Sequence, residues 1–350
     1  MKLALLAPKP RGTRARVPSG GDLYDRELCR ALAARGHAVQ VVPTLAAHGH
    51  ANAERLAAQL LAARYDAVLQ DELGHVEYLS LNRQLNRQVG RRLATFALVH
   101  VTTAELEPGK HSAARERAFL ESVDDVVFVS RHVRERTRKL LGLSLRGLVL
   151  PPGCDHLPLR ARKPRSTASV TRFLCVAHLL PHKGQLELIE LWSQLPKRAT
   201  LWLAGDATRD RAYAKQVERA AERCGPGRVR LLGPLEPRAL VAAYGRADVF
   251  VSASRYESYG LAIAEALVHG LPVVTWTKGG LWELLTPDES ALRVRPDDRA
   301  AFAAALSRVC LEPRLLARLQ RGARAAGKHL PDWNTRAATL ETWLKRRLEV

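Results

Sequence analysis

Short apolar segments alternate with amphipathic segments along nearly the whole chain, and this alternation restricts the possible folds more than any other feature. In the first half, the apolar runs include Lys2–Ala7, Ala67–Gln70 and Ala94–His100. Stretches with helical periodicity, such as Gly21–Arg35 and Arg131–Leu141, lie between or after these runs. Because strands that alternate with helices pair in parallel and are covered on both faces, the sequence predicts an α/β fold.

The same alternation starts again near Arg172, after a segment that lacks it. That segment contains Pro151-Pro152-Gly153 and the polar stretch Arg160–Ser169, which are typical of a hinge. A chain of 350 residues is long enough for two domains of roughly 150 residues each. We therefore predict a doubly wound domain over residues 1–155, a second one over residues 156–330, and a C-terminal helix over residues 331–350 that packs back on the first.

The formal net charge is +20, from 55 Lys and Arg residues against 35 Asp and Glu residues. Such a charge favours anionic partners, among them nucleotides, phosphorylated metabolites, nucleic acids and anionic membranes. Aromatic residues make up only 5% of the chain and do not alternate with arginines, which argues against a surface that stacks bases. We therefore expect no nucleic-acid partner, and the charge alone selects no function.

Five cysteines are scattered along the chain without a Cys-x-x-Cys pair, which argues against a disulfide framework and a zinc site. Scattered cysteines fit a reducing, cytoplasmic location. No stretch approaches the roughly 20 apolar residues of a membrane-spanning helix, and the initial run Leu3–Ala7 is too short for a signal peptide. No cluster of His, Asp or Cys has the sequence spacing of metal ligands, so we predict no metal site and no bound cofactor.

Residues that follow the predicted strands are the first candidates for function, because open parallel sheets bind ligands beyond the carboxyl ends of their strands. Pro18–Gly21 opens the first helix, where Gly20 and Gly21 would let backbone N–H groups approach an anion. A flexible turn is the alternative interpretation of these glycines. His100 ends the fourth predicted strand, where it is either a core residue or a residue that contacts a ligand.

The segment Val176–Gly184 follows the first strand of the second domain. It combines His178, His182 and Lys183 at the start of a predicted helix. The helix dipole, the lysine charge and the histidine donors together suit a diphosphate. A solvated helix start is the alternative.

The segment Ser252–Val274 is the most informative part of the sequence. Glu257 precedes a predicted helix and Glu265 lies inside it; eight residues at about 100° each leave them about 80° apart around the helix axis. Glu265 has apolar neighbours, and a buried carboxylate needs partners such as the hydroxyls of a sugar or a ribose. Gly279 and Gly280 form another glycine-rich helix start after the next strand, where a phosphate or a sugar hydroxyl would fit.

These motifs resemble those of the retaining glycosyltransferases of family 4, which have the GT-B fold. The central match is Glu257-Ser-Tyr-Gly-Leu-x-x-x-Glu265-Ala-x-x-x-Gly-x-Pro-Val, a Glu-x7-Glu signature. The resemblance implies two Rossmann-like domains that face a central cleft, with the acceptor mostly on the first and the nucleotide sugar on the second. Weaker matches follow in the family's order along nearly the whole chain: Gly20-Gly21, Val129-Ser130, Pro152-Gly153-Cys154-Asp155, Lys183-Gly184, Ala204-Gly205-Asp206, Leu232-Gly233, Ala247-Asp248, Gly279-Gly280 with Glu283, and Asp332-Trp333.

The resemblance also implies a reaction. The enzyme would move a hexose from a UDP- or GDP-linked sugar to an acceptor hydroxyl with retention, by a front-face route without a bound metal. Glu265 would hold the ribose, Glu257 the transferred sugar and Lys183 the diphosphate. His100 would touch the sugar or the leaving phosphate. The implied catalytic residues are Glu257, His100 and Lys183, and the implied donor-binding residues are Gly20, Gly21, His178, Lys183, Gly233, Glu257, Ser258, Tyr259, Gly260, Leu261, Glu265, Gly279 and Gly280.

The sequence leaves alternatives open at one position and for the function as a whole. The family usually has Gly-Arg where this chain has Ala177-His178. Either His178 carries a proton, or Arg131 or Lys278 replaces that arginine, or the donor sits differently. The alternative functions are epimerisation or phosphorolysis of a nucleotide sugar, and binding of an anionic surface or a nucleic acid.

The segment from Arg131 to Arg172 carries 11 basic residues and only two acidic ones. Arg134 and Arg138 lie four residues apart and therefore on one helix face. Such a face would attract an anionic membrane, which would suit a lipid-linked acceptor. An ordinary solvated surface is the alternative, and the acceptor is a glycan, a lipid or a small molecule.

Overall fold

The computed structural model describes residues 1–8, 18–44, 50–87, 93–106, 110–159, 170–276 and 279–349. The chain divides into two compact units. The first includes Gly21–Gly153 and Asp332–Val350, and the second includes Cys154–Pro331. The C-terminal segment therefore belongs to the first unit.

The described part of the first unit has a parallel six-stranded sheet with helices between successive strands. The strands are β1 (Lys2–Pro8), β2 (Ala38–Thr44), β3 (Ala67–Asp71), β4 (Ala94–Val99), β5 (Asp125–Phe128) and β6 (Leu148–Val149). The helices are α1 (Gly20–Ala34), α2 (His50–Ala62), α3 (His75–Arg87), α4 (Thr103–Leu106), α5 (Lys110–Leu120) and α6 (Arg131–Leu141), with a short 3₁₀ turn at Glu72–Gly74. The strand order is β2-β1-β3-β4-β5-β6, so the direction of progression reverses between β1 and β3.

The second unit repeats this architecture with a different strand order. Its strands are β7 (Thr171–Val176), β8 (Ala199–Ala204), β9 (Val229–Gly233), β10 (Val249–Ser252), β11 (Val273–Trp276) and β12 (Ala291–Val294). Its helices are α7 (Gln185–Trp192), α8 (Arg211–Arg223), α9 (Pro237–Arg246), α10 (Leu261–Val268), α11 (Arg299–Leu311) and α12 (Pro313–Lys328), with 3₁₀ turns at Pro181–Lys183 and Gly279–Glu283. The order β12-β11-β10-β7-β8-β9 places the reversal between β7 and β10.

The last helix, α13 (Trp333–Leu348), packs into the core of the first unit. Asp332 caps this helix, because its side chain accepts a hydrogen bond from the Thr335 N–H at 2.6 Å. The ring of Trp343 meets Phe96 edge-on at 5.2 Å. The expected return of the C-terminal helix to the first domain is therefore confirmed.

The hydrophobic pattern of the sequence explains where these elements lie. The apolar residues of β1 and β4 are almost fully buried, as expected for strands covered on both faces. Helix α6 buries only one face, which carries Val133, Thr137 and Leu141. Ser130 caps the start of this helix, and Gly142 ends it in the left-handed conformation. The predicted α/β class with two doubly wound sheets is confirmed.

Two element boundaries differ from the prediction where function is concerned. The helix expected to start at Lys183 starts at Gln185, because Gly184 has a φ of 68° and Lys183 lies in the preceding 3₁₀ turn. The fourth strand ends at Val99, so that His100 follows the strand instead of ending it.

The basic segment lies partly on α6. Arg131, Arg138 and Lys139 are exposed there, whereas Arg136 pairs with Glu105 at 2.6 Å. The predicted hinge stretch 160–169 and the candidate Lys278 lie outside the described residues. Among the helices that are described, none is long and apolar enough to cross a membrane.

Candidate functional site

The carboxyl ends of β7 and β10 lie side by side where the strand order of the second sheet reverses. Ligands of open α/β sheets commonly bind at such a point. The segments that leave these two strands are closely joined, since the Arg255 N–H donates to the His182 carbonyl oxygen at 2.8 Å. Gly184 has a φ of 68°, and a Cβ there would overlap the Ala253 carbonyl group, so only glycine fits. This contact joins the two segments that carry the predicted site residues.

Lys183 and Glu257 form an ion pair at this point. Lys183 Nζ lies 2.8 Å from Glu257 Oε1, and the two side chains are 21% and 19% exposed. The Gly280 N–H donates to the main-chain oxygen of Glu257 at 2.8 Å, and a Cβ on Gly279 would overlap the same carbonyl. The structure therefore brings together four residues that the sequence singled out. A partly exposed cation and carboxylate can both exchange their mutual contact for contacts with a ligand.

Glu265 lies inside α10 and is 5% exposed. Its Oε1 lies 2.9 Å from Nε2 of His156, and its Oε2 accepts a hydrogen bond from the Tyr244 hydroxyl at 2.6 Å. Burial and the neighbouring carboxylate raise the pKa of Tyr244 well above its ordinary value, so the phenol keeps its proton and donates. The sequence predicted that this buried carboxylate needs partners, and the protein itself supplies two of them.

The remaining predicted donor-binding residues lie at or near the ends of elements. Gly260, with a φ of 92°, directly precedes α10. The carbonyl oxygen of Gly233, at the end of β9, accepts a hydrogen bond from the Gly205 N–H at 2.9 Å. The others are the loop residues Ser258 and Tyr259, the first α10 residue Leu261, and Gly20 and Gly21 at the start of α1.

His178 follows β7 in a setting that disfavours its charged form. Burial and the positive charge of Arg209 lower the pKa of His178 below its ordinary value, so the ring is neutral at neutral pH. Arg209 belongs to the segment after β8. A hydrogen bond of 2.9 Å from the Leu179 N–H to the Asp206 carbonyl oxygen holds that segment against the one after β7. Sequence analysis did not single out Arg209, because the fold rather than the spacing brings it near His178.

His100 lies in the first unit, beyond the carboxyl end of β4. Its Nε2 is 2.9 Å from Asp25 Oδ1, and its main-chain N–H donates to Glu72 Oε2 at 2.9 Å. The ring of Tyr24 packs edge-on against the imidazole at 5.1 Å. Asp25 reaches this buried place from α1, and Asp71, at the end of β3, adds one more carboxyl group.

The charges of this buried group are strongly coupled. Burial alone lowers the pKa of His100, but Asp25, Glu72 and Asp71 outweigh burial and raise it to about 10. Burial raises the pKa of Asp71 to about 6 and that of Glu72 well above its ordinary value. At neutral pH His100 is therefore an imidazolium, which donates hydrogen bonds and does not act as a base.

Side-chain ligand atoms of Asp25, Asp71 and His100 lie within 4.8 Å of one another. Two carboxylates and an imidazole are donors of the kind that bind divalent cations. In this structure Nε2 of His100 lies 2.9 Å from Asp25 Oδ1, and the positive charge of the imidazolium compensates the carboxylate charge. Sequence spacing gave no sign of this group, because the fold assembles it from three distant positions.

Comparison with known proteins places the chain in a structural class. The sequence profile of the family described as "Glycosyl transferases group 1" matches residues 170–312. A glycogen synthase of Mycobacterium tuberculosis is 31% identical over 268 residues, which cover 70% of this chain and 62% of that protein. The chain therefore spans less than two thirds of that relative's length. A GDP-mannose-dependent alpha-(1-6)-phosphatidylinositol monomannoside mannosyltransferase of Mycolicibacterium smegmatis is 28% identical over 295 residues, which cover 77% of this chain and 75% of that protein.

The solved structure of Anabaena HepE in complex with UDP and glucose has the same fold. The TM-score is 0.81 at 18% sequence identity, and the match covers 99% of this chain and 100% of the other. The protein thus has the GT-B fold of glycosyltransferases. Its second unit contains a glycosyl transferases group 1 domain, which includes Lys183, Glu257 and Glu265.

Proposed function

We propose that this protein is a retaining glycosyltransferase that moves a hexose from a UDP- or GDP-linked sugar to an acceptor hydroxyl. The observation that carries the proposal is the Lys183–Glu257 pair, held beside Gly279 and Gly280 where the second sheet reverses. A cation next to a carboxylate suits a molecule that combines a diphosphate with sugar hydroxyls. The group 1 domain and the likeness to a structure that holds UDP and glucose support the same class of donor.

The second unit binds the donor in this proposal. Lys183 neutralises the diphosphate, Glu257 accepts hydrogen bonds from the transferred sugar, and Glu265 accepts them from the ribose. Arg209 supplies the permanent positive charge that neutral His178 lacks. The donor is further contacted by His178, Gly233, Ser258, Tyr259, Gly260, Leu261, Gly279, Gly280, Gly20 and Gly21.

The transfer exchanges one bond at the anomeric carbon for another on the same face. The bond from the anomeric carbon to the β-phosphate oxygen breaks while the acceptor oxygen bonds to that carbon. The leaving phosphate oxygen takes the proton of the acceptor hydroxyl, so charge and atoms balance and the configuration is retained. Lys183 lowers the barrier because it stabilises the negative charge that develops on the leaving diphosphate.

The first unit binds the acceptor in this proposal, and His100 contributes to the reaction as a cation. Because Nε2 of His100 is engaged with Asp25, its Nδ1–H is the group that donates to the sugar or to the leaving phosphate. The fixed imidazolium and the cations of the second unit supply the positive charge, so we propose no metal ion in the reaction.

Donor binding and product analysis test this proposal together. Thermal-shift measurements with UDP, GDP and ADP and their hexose conjugates identify the nucleotide, since a ligand at 100 times its Kd stabilises by about 2.7 kcal/mol. The selected donor is then incubated with glycan, lipid and small-molecule acceptors, and NMR determines the anomeric configuration of the product. We expect a glycoside with retained configuration. An epimerised sugar, a sugar phosphate or an inverted product would contradict the proposal.

Two additions to the same assay sharpen the proposal. We expect EDTA to leave the transfer rate unchanged; loss of activity that Mg²⁺ or Mn²⁺ restores would refute metal independence. Cosedimentation with anionic vesicles across a salt series tests the exposed basic residues Arg131, Arg138 and Lys139. Binding at low salt supports a lipid acceptor and a peripheral membrane contact, whereas no binding supports a soluble acceptor.

A further inference from the structure

The carboxylate of Glu265 is held by two buried donors whose positions are themselves fixed. We propose that Tyr244 and His156 are positioning residues, which orient the Glu265 carboxylate so that it binds both neighbouring hydroxyls of a ribose. This inference rests on the proposed function and extends it. The preference for a ribonucleotide donor is assigned to two residues that need no contact with the donor.

The hydrogen-bond count supports this role. A carboxylate has about four acceptor positions, two on each oxygen. His156 Nε2 lies 2.9 Å from Oε1, and the Tyr244 hydroxyl donates to Oε2 at 2.6 Å. Each oxygen thus has one protein donor and keeps one acceptor position. Two remaining positions on two oxygens match the two hydroxyls of a vicinal diol.

Tyr244 cannot move without breaking other contacts. Its ring is fully buried and stacks on His269, with centroids 4.9 Å apart and planes at 16°. His269 Nδ1 in turn lies 2.8 Å from the main-chain oxygen of Glu265. The phenol that orients the carboxylate is therefore tied to the helix that carries the carboxylate.

His156 approaches the carboxylate from the segment that begins the second unit. Its side chain is only 4% exposed, and the Cys154 N–H anchors the segment by donating to the Pro331 carbonyl oxygen at 2.9 Å. Nδ1 of His156 is buried and has no hydrogen-bond partner within the described part of the chain. An N–H at that atom would be buried unpaired, so the proton belongs on Nε2, from which it points at Glu265.

The consequence is a measurable preference for ribose over 2′-deoxyribose. A fixed carboxylate gains two hydrogen bonds from a ribose and loses one of them with the 2′-deoxy sugar. A hydrogen bond to a charged group corresponds to about tenfold or more in affinity. If either donor is removed, the carboxylate can rotate, and the second hydroxyl no longer meets an oriented oxygen.

Calorimetric titration of four proteins with four nucleotides tests the inference. The proteins are the wild type, Tyr244→Phe, His156→Leu and His156→Gln, and the ligands are UDP, GDP and their 2′-deoxy forms. For the nucleotide that binds, we expect the wild type to prefer the ribo form about tenfold. In Tyr244→Phe and His156→Leu we expect this ratio to fall towards one through weaker binding of the ribo form alone. In His156→Gln, which keeps an N–H donor, we expect much of the ratio to return.

Tyr213→Phe is the matched control, because Tyr213 is a buried tyrosine of the same unit whose hydroxyl accepts from the Leu186 N–H at 3.2 Å. This variant should keep the wild-type ratio. Circular dichroism checks that each variant folds. If His156→Leu does not fold, the two single variants Tyr244→Phe and His156→Gln are sufficient for the test. A wild-type ratio in Tyr244→Phe, or a wild type without ribose preference, would overturn the inference. Failure of the wild type to bind any of the nucleotides would instead refute the proposed function.

Discussion

In the second unit, the charged pair beside the reversal of strand order is partly exposed to solvent, whereas the charged group of the first unit is buried. Lys183 and Glu257 are each about one fifth exposed. Asp25 on α1, Asp71 at the end of β3 and His100 just after β4 are all buried. The two sheets therefore place charged residues at similar points of their topology, but in opposite dielectric settings.

This difference in burial determines which of the two charged groups a ligand can rearrange. An ion pair that is partly exposed can exchange its mutual contact for contacts with water or a ligand, so its members can be released at a smaller cost than those of a fully buried pair. A buried charge that loses its partner costs far more, so the first unit keeps the Asp25–His100 pair intact. Under the proposed function, the second unit therefore offers a pair that a ligand can rearrange, and the first offers a fixed cation.

The largest effect that tests this comparison is expected from Lys183→Ala. The exchangeable cation disappears, so the charge on the leaving diphosphate loses its nearest compensation. We expect turnover to fall by about 10²–10³ with little change in thermal stability, because the pair is partly exposed. Steady-state kinetics with the selected donor and a melting curve measure both quantities.

Lys215→Ala is the matched control for this variant, because Lys215 is exposed on α8 of the same unit. It should leave turnover and stability unchanged. If Lys183→Ala keeps wild-type turnover, the Lys183–Glu257 pair has only a structural role. The proposed difference between the two units then does not hold for the second unit.

The next effect concerns the fixed cation of the first unit. Asp25→Asn removes the largest of the charges that raise the pKa of His100, while burial continues to lower it. We expect the titration midpoint of His100 to move down from about 10 by about 1–3 pH units. NMR titration of the imidazole measures this midpoint directly, with His100→Gln to assign the signal. Asp22→Asn is the control, because Asp22 is exposed on the same helix. It should leave the titration midpoint of His100 unchanged.

The same pair predicts a pH dependence of stability in the first unit. The pKa of His100 is about 10 in the folded protein and about 6.5 in an unfolded chain. A raised pKa stabilises the fold fully below pH 6.5 and ceases to do so as the pH rises through 10. Hydrogen exchange of the β3 and β4 amides should therefore become less protected between these values, and less steeply so in Asp25→Asn. If protection falls equally steeply with pH in the wild type and in Asp25→Asn, then the Asp25–His100 pair does not keep His100 protonated.

The contrast between the units also explains which features were predictable from sequence. The strands and helices follow from the local alternation of apolar and polar residues, which the chain carries throughout. The sequence singled out Lys183 and Glu257 separately, and their proximity follows from topology, because each lies in the segment after a strand and parallel strands end at one edge of a sheet. These features depend on short stretches of chain and on topology.

The residues that the sequence did not connect are those joined by packing over long distances. His100 meets Asp25 across 75 positions, and His156 meets Glu265 across 109. Such contacts depend on the side-chain directions of separate elements, and no spacing rule encodes them. The carboxylates that raise the pKa of His100 likewise come together only when α1, β3 and β4 meet.

The smallest effect is expected from Arg209→Ala and tests how the second unit compensates for His178. Arg209 adds a permanent charge near a histidine whose pKa is lowered, first by burial and then by that charge. Removal of Arg209 should weaken binding of the nucleotide diphosphate by about tenfold, the loss expected for one hydrogen bond to a charged group. It should also raise the pKa of His178, so that the remaining affinity becomes more dependent on pH near 6.5.

In the double variant with His178→Arg, the permanent charge returns at the neighbouring position, and we expect both the affinity and a flat pH profile to return. Arg211→Ala, an exposed change at the start of α8, is the control. An unchanged Kd in Arg209→Ala would remove this arginine from the donor site and leave Lys183 as the main cation for the diphosphate.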